Sequence, residues 1–333
     1  MKLDASIGFA TPLKDVPALA QAAEAVGFDA IWSSETQHDP FLPLTHVAAA
    51  TAKLKFGTAV AIAFARSPML VAQTAWDLTA QSNGRFMLGL GTQVQAHIER
   101  RFGMTWTPPV PRLREYVQAI RAIWTAWQTG AKLNFRSESY KLTLMTPFFS
   151  PGPIANPNVP ILIAGVGEPL CRLVGEVADG FHVHPYHTRK YLSDVILPSI
   201  EQGAKKADRA VKSIEIATLA FVALTDQEIE AQRSQVAFYA STPSYRPVLD
   251  LHGWGAIGEQ LGALAARGQW AEMPKLISDE MLETFVTIGT WETIGAKLRA
   301  RYDGLLDRVG FYRPYVPGVE DAQWNQVCHQ VTG

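Results

Sequence analysis

The sequence predicts a (β/α)8 barrel, on three observations. Short apolar runs alternate with longer helical patterns eight times along the chain, the pattern of a parallel sheet wrapped in helices. The early runs are apolar throughout rather than at every second residue, as strands covered on both faces are. The 333 residues are enough for eight such units plus insertions in one domain spanning 1–333.

The elements follow in order. Ser6–Phe9 is the first expected strand. Pro17–Val26 is the first helix, with Asp15 placed to cap it and Gly27 to end it. Ala30–Trp32, Phe56–Ala61 and Phe86–Leu90 are the next strands, separated by helices over Pro43–Ala52 and Pro68–Ser82. Arg112–Trp127 is a long amphipathic helix, and Ile161–Ala164 is the fifth strand. Pro169–Ala178, Lys190–Ala207 and Trp291–Tyr302 are the later helices, and Gly180–Val183, Ile214–Leu224 and Arg308–Tyr312 the last three strands. Two stretches break the rhythm. Residues 130–160 carry Pro147, Pro151, Pro153, Pro157 and Pro160, and are expected as an ordered insertion lying over the barrel. Residues 225–287 are mostly helical and lie between the seventh and eighth strands, so they should leave from the C-terminal face as a lid or substrate wall.

Charge and composition exclude several classes. Thirty basic residues against thirty-one acidic ones give a net charge of -1, which argues against a nucleic-acid binder or a polybasic membrane-surface protein. The longest nearly apolar run, Phe56–Ala65, is too short for a membrane span of about 20 residues. Met1-Lys2-Leu3-Asp4 lacks the apolar stretch of a secretory signal, and two cysteines, Cys171 and Cys328, make no disulfide framework. A cytoplasmic enzyme acting on a small molecule is the expectation.

In a barrel, the residues just after each strand carry the chemistry. After the second strand stand Glu35, His38 and Asp39, a set suited to acid–base work. After the third come small residues, including Ala59, Val60 and Ala61, then Arg66, the one fixed charge near an apolar run. Gly89-Leu90-Gly91-Thr92-Gln93-Val94 resembles half of a dinucleotide fingerprint, with Val94 where the third glycine would stand. It still suits an anion, as does Gly165-Val166-Gly167 after the fifth strand. His182 and His184 face one way on the sixth strand, with His187 beyond. They leave a metal-dependent hydrolase as an alternative, although strands four, five and seven offer no further ligand.

At this point the chain resembles the bacterial luciferase-like superfamily, and within it the branch that uses the deazaflavin coenzyme F420. The resemblance runs nearly end to end. It is carried by residues 22–29, by Gly57-Thr58 running on to Ser67-Pro68, and by Gly84-Arg85-Phe86-Met87-Leu88-Gly89-Leu90-Gly91. Ala164-Gly165-Val166-Gly167 and Ala178-Asp179-Gly180-Phe181 complete it. It implies hydride transfer between F420 and a small organic substrate. A cis peptide between Ala59 and Val60 would support the ring. Ala61, Gly91, Thr92, Gln93, Gly165, Val166, Gly167 and His184 would complete the cofactor site. His38 and Glu35 would be the catalytic candidates, with Arg66, Tyr245 and Arg246 on the substrate. The resemblance further implies a separate reductase supplying reduced cofactor, and a homodimer as an assembly to test. The same fold with FMN and oxygen is the alternative chemistry, and a non-catalytic cofactor carrier is another. Sugar-phosphate dehydrogenases of the branch place a histidine about two residues earlier than His38, and a glutamate where Gln93, Val94 and Gln95 stand here. That weakens the sugar-phosphate reading and leaves cofactor binding intact.

Overall fold

Eight parallel strands close on themselves: β1 (Lys2–Ser6), β2 (Ala30–Ser33), β3 (Lys55–Thr58), β4 (Phe86–Gly91), β5 (Ile161–Gly165), β6 (Gly180–Val183), β7 (Glu215–Ala220) and β8 (Arg308–Phe311). Each pairs with the next in sequence, and β8 returns to β1 with Leu3 opposite Val309. The computed structural model describes residues 1–333. Helices α1 (Val16–Val26), α2 (Leu42–Ala50), α3 (Pro68–Gln81), α4 (Pro109–Thr129), α5 (Glu168–Val177), α6 (Leu197–Lys206), α7 (Ile294–Tyr302) and α8 (Asp321–Thr332) surround the strands. α1 buries Val16, Leu19, Ala20, Ala23 and Val26, the spacing of one helical face. One apolar core of 83 residues runs from β1 to α8. No helix is long and apolar enough to cross a membrane.

The barrel interior is filled, not hollow. Ala30, Trp32, Met87 and Leu162 form its own small cluster. Gly89 makes room for it, because a Cβ there would stand 1.8 Å from the Thr58 carbonyl oxygen and 3.2 Å from His182 Nε2. The Trp32 Nε1–H donates to Asp4 Oδ2 at 2.8 Å. Arg308 grips both Asp4 oxygens at 2.8 and 2.7 Å and reaches Glu215 at 3.1 Å. Arg308 is 0 % exposed. Burial alone would lower its pKa, but the Asp4 and Glu215 carboxylates overcome that and hold it above its ordinary value. This ion pair joins the first and last barrel strands.

The first strand lies earlier than expected. It spans Lys2–Ser6, while Phe9, at the far end of the expected strand, is 59 % exposed. Asp4 is buried inside the barrel, where Arg308 and Trp32 satisfy its carboxylate. The expected strand over Phe56–Ala61 is two pieces, because pairing stops after Thr58 and resumes at Ala61–Ile62 against Leu90 and Gly91. The Ala59–Val60 peptide between them is cis. The expected strand over Ile214–Leu224 also divides. Val222–Ala223 leaves the barrel and pairs with Thr287–Ile288. That small sheet ties together the two ends of the 225–287 insertion. The insertion is helical over Asp226–Ala240, Arg246–Asp250, Gly255–Ala266 and Asp279–Phe285. Its first helix is capped by Thr225, whose hydroxyl accepts from the Glu228 N–H.

Residues 130–160 follow the end of α4 and carry a small hairpin, Phe135–Arg136 with Lys141–Leu142. Tyr140 meets Arg112 and Ser139 meets Glu115, so the hairpin lies along α4. The segment then returns past Trp76 and Gln128 to the start of β5. It supplies none of the residues lining the cavity described next.

Candidate active site

The C-terminal ends of all eight strands border one cavity of about 830 Å³. Its floor and walls come from residues such as Ile7, Ser34, Val60, Gly91, His184 and Tyr312, with every strand end contributing. The 225–287 insertion adds Gln235, Ser244 and Tyr245 as a side wall, where the sequence placed it. Phe9, Val94 and Val166 are lining residues that remain exposed, so the rim is apolar.

Glu35 reaches this cavity but is already engaged. Its carboxylate accepts from the Ile62 N–H at 2.7 Å and pairs with Arg66 at 2.6 Å. Arg66 in turn holds Asp39 at 2.9 Å. Burial works against the Arg66 charge, and the two carboxylates outweigh it and raise its pKa. The three residues brace the loops after β2 and β3, and Arg66 does not line the cavity. His38 is exposed on the same loop and does not line the cavity. Arg246 points to Glu259 at 3.3 Å and does not line it either.

The cofactor candidates gather better. Ala59, Val60, Gly91, Thr92, Gln93, Gly165, Val166 and His184 all line the cavity. Ala61 is buried just behind it, and Gly167 borders a small neighbouring void instead. Gly91 lies opposite Ala164 in the β4–β5 register, which brings the two glycine loops side by side. A Cβ on Gly91 would stand 2.6 Å from Val60 Cγ2, so bare backbone is what fits against that residue. The α5 N-terminus opens next to these loops at Gly167 with no side chain capping it. Free backbone N–H groups and the positive end of a helix suit an anionic tail, and the flat Ala59–Val60 wall beside Gly91 suits a ring.

A pair of residues after β6 and on the insertion was only half legible. His184 Nδ1 accepts from the Tyr186 N–H at 3.1 Å, and His184 Nε2 lies 2.9 Å from the Tyr245 hydroxyl. Burial pushes the imidazole down to about 3 and the phenol up to about 12. Both are therefore neutral around pH 7. Tyr239 packs 5.0 Å from the His184 ring and shares a 2.7 Å hydrogen bond with Tyr312. Tyr312 follows β8 directly, and the rule that picked the other loops would have found it too. Tyr186 and His187 keep unpartnered buried polar atoms and border a void of about 20 Å³, room for one water.

The histidines do not make a metal centre. Both ring nitrogens of His184 are engaged, and His182 lies edge-on to Trp32 at 4.6 Å. No group of three or more His, Cys, Asp or Glu side chains is placed to hold an ion. The hydrolase alternative therefore lacks its donor set.

Comparison with known proteins agrees with this architecture. A family model described as luciferase-like monooxygenase matches residues 2–308. An uncharacterized protein of Mycobacterium tuberculosis is 45% identical over 315 residues, 93% of this chain and 92% of its own. The 5,10-methylenetetrahydromethanopterin reductase of Methanolobus tindarius is 28% identical over 319 residues, covering 93% of this chain and 94% of its own. Among solved structures, the coenzyme F420 dependent tetrahydromethanopterin reductase of Methanopyrus kandleri superposes with a TM-score of 0.79. It is 20% identical, with 99% of this chain and 98% of the other covered.

Proposed function

The chain belongs to the luciferase-like monooxygenase family, and from that premise we propose that it is an F420-dependent oxidoreductase moving hydride to or from a small organic substrate. The observation that carries the reading is the pair of glycine loops beside the uncapped start of α5, opening on the apolar cavity next to Ala59 and Val60. A relative named as a reductase of a methanopterin and a like fold named as F420 dependent add support. When bound, the deazaflavin supplies the ring carbon that carries hydride.

The chain's own residues do the rest. Ala59 and Val60 back the ring, with Ala61 holding that wall through its pairing to Leu90. The backbones of Gly91, Thr92, Gln93, Gly165, Val166 and Gly167 hold the anionic tail. Gln235, Ser244 and Tyr245 close one side and keep water from the reacting atoms. Glu35 orders the β2 and β3 loops through Arg66 and Ile62. Reduced cofactor would come from a separate reductase.

The second reading is FMN with oxygen chemistry, favoured by the monooxygenase description of the family itself. A titration separates the two, because both cofactors fluoresce and quench on binding. Oxidised F420 is expected to bind at least about tenfold tighter than FMN, a difference of about 1.4 kcal/mol. Gly91→Ala, which drives a methyl into Val60, is expected to weaken F420 about tenfold. A preference for FMN would move the protein to oxygenation, and failure of both to bind would remove the cofactor assignment.

A further inference from the structure

We infer that Tyr245 is the hydrogen-bond donor that orients an uncharged, carbonyl-type substrate in the cavity, and that His184 is the positioning residue that aims its proton. The inference rests on the oxidoreductase reading and deepens it by naming the substrate class.

His184 Nδ1 accepts a backbone N–H, so it carries no proton. Burial keeps the ring neutral, and its single hydrogen must then sit on Nε2. That N–H donates to the Tyr245 oxygen 2.9 Å away. The phenol oxygen is thus an acceptor toward His184, and its own hydrogen is left over. No other side-chain or backbone group of the protein hydrogen-bonds that hydroxyl. Tyr245 lines the cavity, so the hydrogen is available to an acceptor held there. The Tyr239 and Tyr312 hydroxyls share one hydrogen bond, which leaves one further hydrogen on that pair, and of the two only Tyr312 lines the cavity.

Charge then narrows the class. Only two charged side chains line the cavity, Glu35 and Arg313. Glu35 is paired with Arg66, and Arg313 with Glu228 and Glu320. A charged substrate head would lose its water here and gain no free counter-ion. An uncharged ketone, aldehyde or imine meets the Tyr245 donor, already oriented by His184, within an apolar rim of Phe9, Val94 and Val166. Hydride arriving at the carbon of such a group builds negative charge on its heteroatom. A donor already aimed at that atom stabilises the charge without having to reorganise.

The test uses the full chain without cofactor and two neutral probes of one shape, cyclohexanone and methylenecyclohexane, with cyclohexanecarboxylate as the charged control. Ligand-observed NMR titration is expected to show the ketone binding about fivefold tighter than the alkene, the scale of one hydrogen bond. Tyr245→Phe should bring that ratio to about one and leave the alkene affinity unchanged. Histidine ¹⁵N NMR of the unaltered protein is expected to show His184 protonated on Nε2 alone at pH 7, a signature that packing by itself does not set. A ratio near one in the unaltered protein, a ratio that survives Tyr245→Phe, tightest binding of the carboxylate, or a His184 proton on Nδ1 would each overturn the inference. If Tyr245→Phe fails to fold, the ratio and tautomer of the unaltered protein still decide. A ketone preference without binding of F420 or FMN would retain Tyr245 and remove the cofactor reading. Cofactor binding with no ketone preference would do the reverse.

Discussion

Asp4→Ala is expected to cost about 3–5 kcal/mol of folding stability, the range for breaking one side of a buried ion pair. The substitution leaves Arg308 fully buried with only Glu215 beside it, at 3.1 Å, and strands the Trp32 N–H as well. The penalty comes from the orphaned charge more than from the lost attraction. Replacing both partners with apolar residues, Asp4→Leu with Arg308→Met, should therefore be milder than Asp4→Ala alone. Denaturant unfolding of the three proteins checks this. A double variant less stable than the single one would show that the pair stabilises the barrel outright. Neither Asp4 nor Arg308 lines the cavity, so cofactor titration should still detect binding in whichever variants fold.

Acid should destabilise this protein once the pH falls below about 6.5. Burial pushes His182 and His184 down to about 3 and His187 down to about 4. Unfolded, each would titrate near its ordinary value of about 6.5. The unfolded chain therefore binds more protons than the folded one between those limits, and stability falls as pH drops through that window. Each imidazole contributes a slope of about 1.4 kcal/mol per pH unit there. Above about pH 6.5 all three are neutral in both states and the slope vanishes. Unfolding midpoints at pH 7, 6 and 5 read this directly. His187→Gln should flatten the curve by about one proton's worth, if the variant keeps its fold at pH 7. Equal stability at pH 7 and 5 would mean that the three rings are less buried than their surroundings indicate.

Most of the barrel was legible because its strands announce themselves. Phe86–Leu90 and Ile161–Ala164 are unbroken apolar runs, Gly180–Val183 is interrupted only by His182, and each lies within a residue of the observed strand. β1 lies earlier than expected, and its centre is an aspartate, a residue type that strands disfavour. Its partner lies 304 positions away, and no local pattern can reveal that. The final helix α8 was overlooked, although Trp324, Val327, Cys328 and Val331 repeat at helical spacing. In the site, loops chosen for their glycines sit on the cavity because backbone approach is local chemistry. His38 was chosen for being near a strand end in sequence, but the direction a loop side chain takes is set by packing, and it faces solvent. The pairing of His184 with Tyr245 joins positions 61 residues apart, and only the folded insertion brings them together.

The seam between β1 and β8 also dictates an order of events during synthesis. A ribosome adds roughly 5–20 residues per second, so Asp4 emerges long before Arg308 is made. Throughout that interval β1 has no neighbour on one side and holds a carboxylate without its guanidinium. Any sheet that forms before β8 is made leaves β1 with a bare edge, the geometry that invites pairing with other chains. Rapid overproduction should thus yield aggregates in which β1 is accessible, and slower translation or a holding chaperone should raise the yield of closed barrels. Cells that make this protein carry that exposure with each copy until the eighth strand arrives.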